Sequence, residues 1–225
     1  MWSLDLKELA RPEADVSSAA SGLALSSTDK KMAEGHFEEG GSAYARHRPS
    51  YPDALADFLA GAVLGDAHAL DVGCGTGQLS VLLGDRFERV TAIDPSASQL
   101  AYATPHLRVQ YRAATAEDVG LADGSVDLVV AAQAAHWFDL PSFYAEARRV
   151  ARPGATIALV TYGVPTVTGP AASCFDDFYW RRIHGHWRPG RRHVETAYLD
   201  LPFPFAEKPL PPFAIERTWT VDALL

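Results

Sequence analysis

The sequence predicts a doubly wound α/β fold built on a mainly parallel sheet, and three observations predict it. Strand-like apolar runs alternate with helix-spaced ones from about residue 68 to residue 162. The first of these runs ends in a glycine loop, Leu70-Asp71-Val72-Gly73-Cys74-Gly75-Thr76-Gly77-Gln78. The run Val126–Ala131 is apolar apart from Asp127, as a strand covered on both faces requires.

The elements follow in order. Pro52 suits a helix start, and Leu55, Phe58, Leu59, Ala62 and Val63 fall at helical spacing. His68–Val72 reads as the first strand and Gly77 to about Leu83 as the first crossover helix. Val90–Ile93 is the second strand, Ser96–Ala103 a helix and Leu107–Tyr111 the third strand. Val126–Ala131 is the fourth strand. Leu140, Phe143, Ala147 and Val150 mark a helix stopped by Pro153-Gly154, and Ala155–Tyr162 is the fifth strand. Beyond it, residues 163–215 hold many aromatics, Arg, His and Pro and read as an inserted cap, with Ala214–Val221 a further strand. Three stretches result: 1–35, mostly disordered, with Trp2, Leu4, Leu6 and Leu9 as a short packed element; 36–162, the ligand-binding domain; and 163–225, the cap with an incomplete C-terminal part.

Composition narrows the function classes. The 225 residues fit one domain with an insertion, and 48% hydrophobic residues are ample for its core. A net charge of -8 argues against broad binding to nucleic acid or to anionic membranes. No apolar run approaches the length that crosses a bilayer. Cys74 and Cys174 are the only cysteines, and a disulfide at Cys74 would obstruct the loop, so a reduced, cytoplasmic setting is expected. A monomer or a homodimer fits equally.

The glycine loop carries the chemistry. Glycine reaches left-handed backbone angles and leaves no side chain between backbone and ligand. A charged small molecule can therefore lie on main-chain N–H groups. Asp94, ending the second strand, is placed to accept two hydrogen bonds from a ribose diol. Dinucleotide-binding loops want Gly-x-Gly-x-x-Gly, but the third required position is Gln78, and the third glycine is Gly77.

The form Asp71-x-Gly73-x-Gly75-x-Gly77 resembles motif I of the class I S-adenosylmethionine-dependent methyltransferases, which have a Rossmann-like fold. Further segments are similar to the methyltransferase type 11 and trans-aconitate methyltransferase-like group. They are Tyr44-Ala45-Arg46-His47-Arg48-Pro49-Ser50-Tyr51-Pro52, Ala116-Glu117-Asp118, Asp123-Gly124-Ser125-Val126-Asp127-Leu128 and Ala131-Ala132-Gln133-Ala134-Ala135-His136-Trp137-Phe138-Asp139. In the cap, Trp187-Arg188-Pro189-Gly190-Arg191, Tyr198 and Phe203-Pro204-Phe205 resemble that group as well. Its members usually continue past the position of Leu225 with a helix and the last strands of a seven-stranded sheet. The fifth strand is then expected at an exposed edge, or covered by another segment or a partner.

The resemblance implies S-adenosyl-L-methionine as cofactor, S-adenosyl-L-homocysteine as product and a small-molecule methyl acceptor, with a lean toward a carboxylic acid. Gly73, Gly75 and Gly77 would face the methionine portion, and Asp71 would balance its ammonium or else cap the following helix. Asp94 would hold the ribose, Pro95 and Ser96 would flank the adenine, and Ala116 with Glu117 would meet its edge, more by the Ala116 backbone than by the Glu117 side chain. Gln133 would lie near the methionine end, Arg48 would pair with the cofactor carboxylate and Tyr44 would close the pocket. His136 is the candidate general base, or an orienting or helix-capping group. Trp137 would wall the acceptor pocket.

The segment Trp180–His193 carries five arginines, three histidines and no acid. Trp187, Arg188 and Arg191 are its candidates for an anionic acceptor. The alternative is a solvated face paired with the chain's excess acids. The His184-x-His186 spacing fits zinc poorly without nearby Cys or acid ligands, so no metal is expected.

Overall fold

The structure, a computed structural model, describes residues 50–187, 190–208, 210–211 and 213–218, and the backbone of 2–6. The chain divides into two units, Arg11–Val160 on one side and Met1–Ala10 with Thr161–Leu225 on the other.

The larger unit contains the predicted sheet. Helix α1 (Asp53–Gly61) precedes β2 (His68–Val72), α2 (Gln78–Gly84), β3 (Arg89–Asp94), α3 (Ala97–Ala101) and β4 (Val109–Ala113). Then come β5 (Val126–Ala132), α4 (Leu140–Val150) and β6 (Ala151–Val160). The strands lie in the order β4-β3-β2-β5-β6, all pairs parallel. Every residue of β2 and β5 is buried, which explains their near-continuous apolar sequences. Strand order reverses direction between β2 and β5. Ligands of open parallel sheets bind outside the carboxyl ends at such a switch point, and the glycine loop leaves β2 there.

One boundary departs from the sequence reading. Pro153-Gly154 does not stop α4; the helix ends at Val150 and β6 begins at once. Proline is tolerated on an edge strand, where its missing N–H costs no ladder bond. The pairing absorbs the irregular residues: Val126 faces Ala151, whereas Leu128 already faces Thr156. Arg152 anchors this start by donating to both oxygens of Asp127, which also accepts from the His68 N–H. Among the described residues, β6 ends the sheet.

The second unit has a small antiparallel sheet, in which β1 (Trp2–Leu6) lies between β7 (Thr166–Val167) and β8 (Phe213–Arg217). Its helical part runs from α5 (Ala172–Asp176) through a π-helical stretch (Asp177–Ile183) and a 3₁₀ turn (His184–His186) to α6 (Arg191–Glu195). The short element expected around Trp2, Leu4, Leu6 and Leu9 meets a strand at Trp2–Leu6, and residues 7–35, where disorder is expected, lie outside the described residues. No described helix is long and apolar enough to cross a membrane.

Candidate functional site

The loop after β2 turns on three left-handed glycines: Gly73 (φ 72°), Gly75 (φ 57°) and Gly77 (φ 86°). A side chain in that conformation costs roughly 1–2 kcal/mol per residue. Backbone bonds hold the loop in place. The N–H groups of Gly73 and Cys74 both donate to Ile93 O, at 2.8 and 2.9 Å, and the Gly77 N–H donates to Cys74 O at 2.9 Å. Two of the glycines are also needed by the protein's own packing. A Cβ on Gly73 would stand 2.5 Å from the Ala134 Cβ, and one on Gly77 would overlap the Tyr111 hydroxyl. Gly75 differs: its nearest neighbour would be Gln99 Oε1, at an ordinary 3.7 Å.

Asp94 is joined to this loop. Its Oδ2 accepts from the Gly75 N–H and its Oδ1 from the Ser96 N–H, both at 2.9 Å. Ser96 caps α3, accepting from the Gln99 N–H, and so aims the turn through Pro95. These two backbone bonds fix the carboxylate beside the glycine loop.

Asp71 is buried at the end of β2 and accepts from Ser80 Oγ at 2.6 Å. It does not cap α2; Gly77 holds the N-cap position. Burial raises its pKa to about 7; Ser80 opposes the shift and the charge of Asp94 adds to it. A buried acid poised near neutrality suits a cationic ligand group. Burial also raises the Cys74 thiol, with Asp71 and Asp94 adding to it, so Cys74 is an inert lining group.

The segment after β5 faces the loop. Gln133 is buried in a left-handed conformation (φ 56°), and its N–H donates to Val160 O at 2.8 Å. Strained non-glycine backbone of this kind concentrates at functional sites. A 3₁₀ turn, Ala135–Trp137, follows, with the His136 and Trp137 rings 4.9 Å apart. Phe138 lies against Gly73. The cap of α4 is Asp139, which accepts from the Ser142 N–H, so the capping role considered for His136 belongs to Asp139. Ala116 is buried, and Glu117 Oε1 accepts from the Asp139 N–H at 2.9 Å.

The structure thus brings Asp71, Gly73, Gly75, Gly77, Asp94, Pro95 and Ser96 to one corner of the sheet, and Ala134, the residue after Gln133, lies against Gly73. Tyr44, Arg48 and Arg188 lie outside the described residues. Sequence reasoning missed Ser80, Gln99 and Tyr111. Their one signal is a polar group on a helix or strand face that otherwise points inward. Gln99 Oε1 is buried without a hydrogen-bond partner among the described residues. Tyr111 reaches the loop from β4 and donates to Thr104 O at 2.7 Å.

In the second unit, Arg191 is engaged at home. Its Nε donates to the Tyr179 hydroxyl at 3.1 Å, Glu195 lies 3.9 Å away, and the guanidinium sits 5.1 Å over the Trp187 ring. His184 meets Glu195 at 3.2 Å and His193 meets Asp200 at 2.9 Å. Arg181 and Arg182 pair with Asp177. These pairs are those of the alternative reading, in which the segment's cations pair with the chain's own acids. Among the described residues, no three His, Cys, Asp or Glu side chains gather as a metal would need.

Known proteins are similar to this chain. A family described as "Methyltransferase domain" matches residues 70–159. A Dictyostelium discoideum protein named as a methyltransferase is 31% identical over 192 residues, 81% of this chain and 71% of its own length. A solved structure described as a type II methyltransferase from Anaeromyxobacter dehalogenans shares 49% identity and a TM-score of 0.74, covering 79% of this chain and 75% of its own. A malonyl-[acyl-carrier protein] O-methyltransferase of Pectobacterium atrosepticum is 36% identical over 126 residues, 55% of this chain. The chain spans 47% of that relative's length. The parallel sheet with its glycine loop at the switch point has the Rossmann-like fold of the class I methyltransferases, and the chain belongs to the methyltransferase family.

Proposed function

We propose that this chain transfers a methyl group from S-adenosyl-L-methionine to a small acceptor, with a carboxylic acid as the favoured class. One observation supports the cofactor reading: Asp94, at the end of β3, is bonded to the Gly75 N–H and so stands beside a glycine loop at the switch point. The residues fit the cofactor. Asp94 would orient the ribose, with Pro95 and Ser96 beside the adenine and the Ala116 backbone at its edge. The bare backbone of Gly75, with Gly73 and Gly77 shaping the turn, would lie under the methionine portion. Asp71 supplies the countercharge for the ammonium, and Gln133 closes that end.

When bound, the cofactor supplies a sulfonium-activated methyl group, and S-adenosyl-L-homocysteine keeps the electrons of the broken C–S bond while a C–O bond forms to the acceptor. The chain's own work is alignment and exclusion of water. Positioning of this kind can supply roughly 7–11 kcal/mol. A carboxylate acceptor arrives ionised and needs no base, so His136 would orient it and Trp137 would wall it. For a hydroxyl or amine, His136 would take the proton. The carboxylic acid reading is supported by the named reaction of the Pectobacterium relative.

Calorimetric titration with S-adenosyl-L-homocysteine and, separately, with NAD tests the cofactor. Binding of the first and not the second is expected; the reverse would overturn the reading. Mass-spectrometric screening of small acids, phenols and amines for added methyl groups then tests the acceptor class.

A further inference from the structure

Glu117 stands where the adenine edge is expected, yet its carboxylate is turned to another task. Oε1 accepts the Asp139 N–H at 2.9 Å. Asp139 is the cap of α4 and lies three residues beyond His136. Two residues after Glu117, the Val119 N–H donates to Glu146 Oε1 of α4 at 3.0 Å, and Arg149 braces Glu146 through two bonds of 2.7 Å. The short loop after β4 is thus tied to α4 at its cap and again two turns along.

Several contacts hold the segment Gln133–Asp139. Its start is fixed by the strained Gln133, whose N–H bonds to Val160. Its middle is fixed by Ala134 and Phe138 packed on Gly73. Its end is fixed by Glu117. Of these, only Glu117 leads back to the adenine end of the cofactor site. A carboxylate accepting a backbone N–H is a charge-assisted bond, about twice as strong as a neutral one. It can therefore transmit order between the two places it joins.

We propose that Glu117 is a positioning residue that couples the adenine end of the site to the His136–Phe138 turn, and not a ligand of the adenine itself. This rests on the cofactor reading above. Filling the adenine end steadies the 116–119 loop, and the Glu117–Asp139 bond passes that order to the turn that faces the acceptor. Coupling of this kind is reciprocal in binding free energy.

The test uses the full chain as wild type, Glu117→Ala and Glu117→Gln. S-adenosyl-L-homocysteine affinity is measured by calorimetry, and amide exchange of peptides covering residues 133–143 is followed with and without that ligand. In wild type the ligand is expected to slow exchange in these peptides by about tenfold. In Glu117→Ala the dissociation constant should stay within about threefold while the ligand-induced protection disappears. Glu117→Gln keeps an oxygen for Asp139 and should restore the protection. It would place an amide donor beside any adenine amine, so an adenine-ligand role would make it bind roughly tenfold more weakly. Tenfold weaker binding in either variant overturns the proposal, as does protection that survives in Glu117→Ala. A wild-type chain that does not bind S-adenosyl-L-homocysteine overturns the cofactor reading and the coupling together. Binding with protection intact in Glu117→Ala overturns the coupling alone.

Discussion

Asp71 is expected to make folding and, on the proposed reading, cofactor binding depend on pH, with opposite signs. Its folded pKa is raised from 3.8 to about 7, chiefly by burial. Between those values the native chain holds a proton that the unfolded chain has released. Stability therefore falls as pH rises through that window and levels off above it. The shift is about three pH units, which corresponds to about 4 kcal/mol as an upper bound. Cofactor binding should run the other way. An ammonium beside Asp71 favours the carboxylate, so binding below pH 7 releases a proton, and affinity rises about tenfold per pH unit until the acid is ionised. Calorimetry with S-adenosyl-L-homocysteine at pH 6 and 8, in buffers of different ionisation enthalpy, reads both the affinity and the released proton. Asp71→Asn should abolish the slope and the proton release, and it should stabilise the apo chain at pH 8. A flat wild-type profile, or a slope that survives in Asp71→Asn, would refute the assignment of Asp71 to the ammonium.

Other perturbations separate packing from ligand roles. Asp94→Ala should weaken S-adenosyl-L-homocysteine binding by about 1–3 kcal/mol and also lower the melting temperature, because the Gly75 and Ser96 N–H groups lose their acceptor. A Kd unchanged by that substitution would remove the ribose role. Gly77→Ala should cost more stability in urea than Gly124→Ala: both positions have positive φ, but only the first meets a side chain. Equal losses, of about 1–2 kcal/mol each, would show that backbone angle alone sets the cost. Arg191→Ala should reduce thermal stability through Tyr179 and Trp187 while leaving S-adenosyl-L-homocysteine affinity unchanged, which paired melting and calorimetry would check.

What could be read from sequence was local. The glycine loop and Asp94 sit where a strand stops, so residue type and spacing announce them. The strands β2 and β5 announce themselves through burial on both faces. Ser80 and Tyr111 gave no such sign, because what they touch is decided by how α2 and β4 fold back on the loop. Glu117 looked like an adenine-side residue by its neighbours, yet its hydrogen-bond partner lies 22 positions away. Arg191 looked available because its segment holds no acid, but Glu195 follows just beyond that segment. Pro153-Gly154 looked like a helix stop because the pair usually interrupts regular structure, yet among the described residues β6 lies at the edge of its sheet, where a missing N–H is tolerated.

The division of labour among the three glycines bears on how the site is built. Gly73 and Gly77 are boxed in by Ala134 and Tyr111, so their smallness serves the contact of the loop with β5's exit and with β4. Gly75 has room for a Cβ, and its N–H is the one that binds Asp94. Its glycine is demanded by the left-handed backbone and by whatever lies on the open side of the loop. Replacing Gly75 with alanine should therefore cost no more than the backbone penalty of roughly 1–2 kcal/mol in the apo chain. The loss of S-adenosyl-L-homocysteine affinity should exceed what Gly124→Ala produces. A Gly75→Ala chain that binds as tightly as wild type would mean that no ligand rests on this part of the loop, and the cradle would have to be sought elsewhere on the sheet.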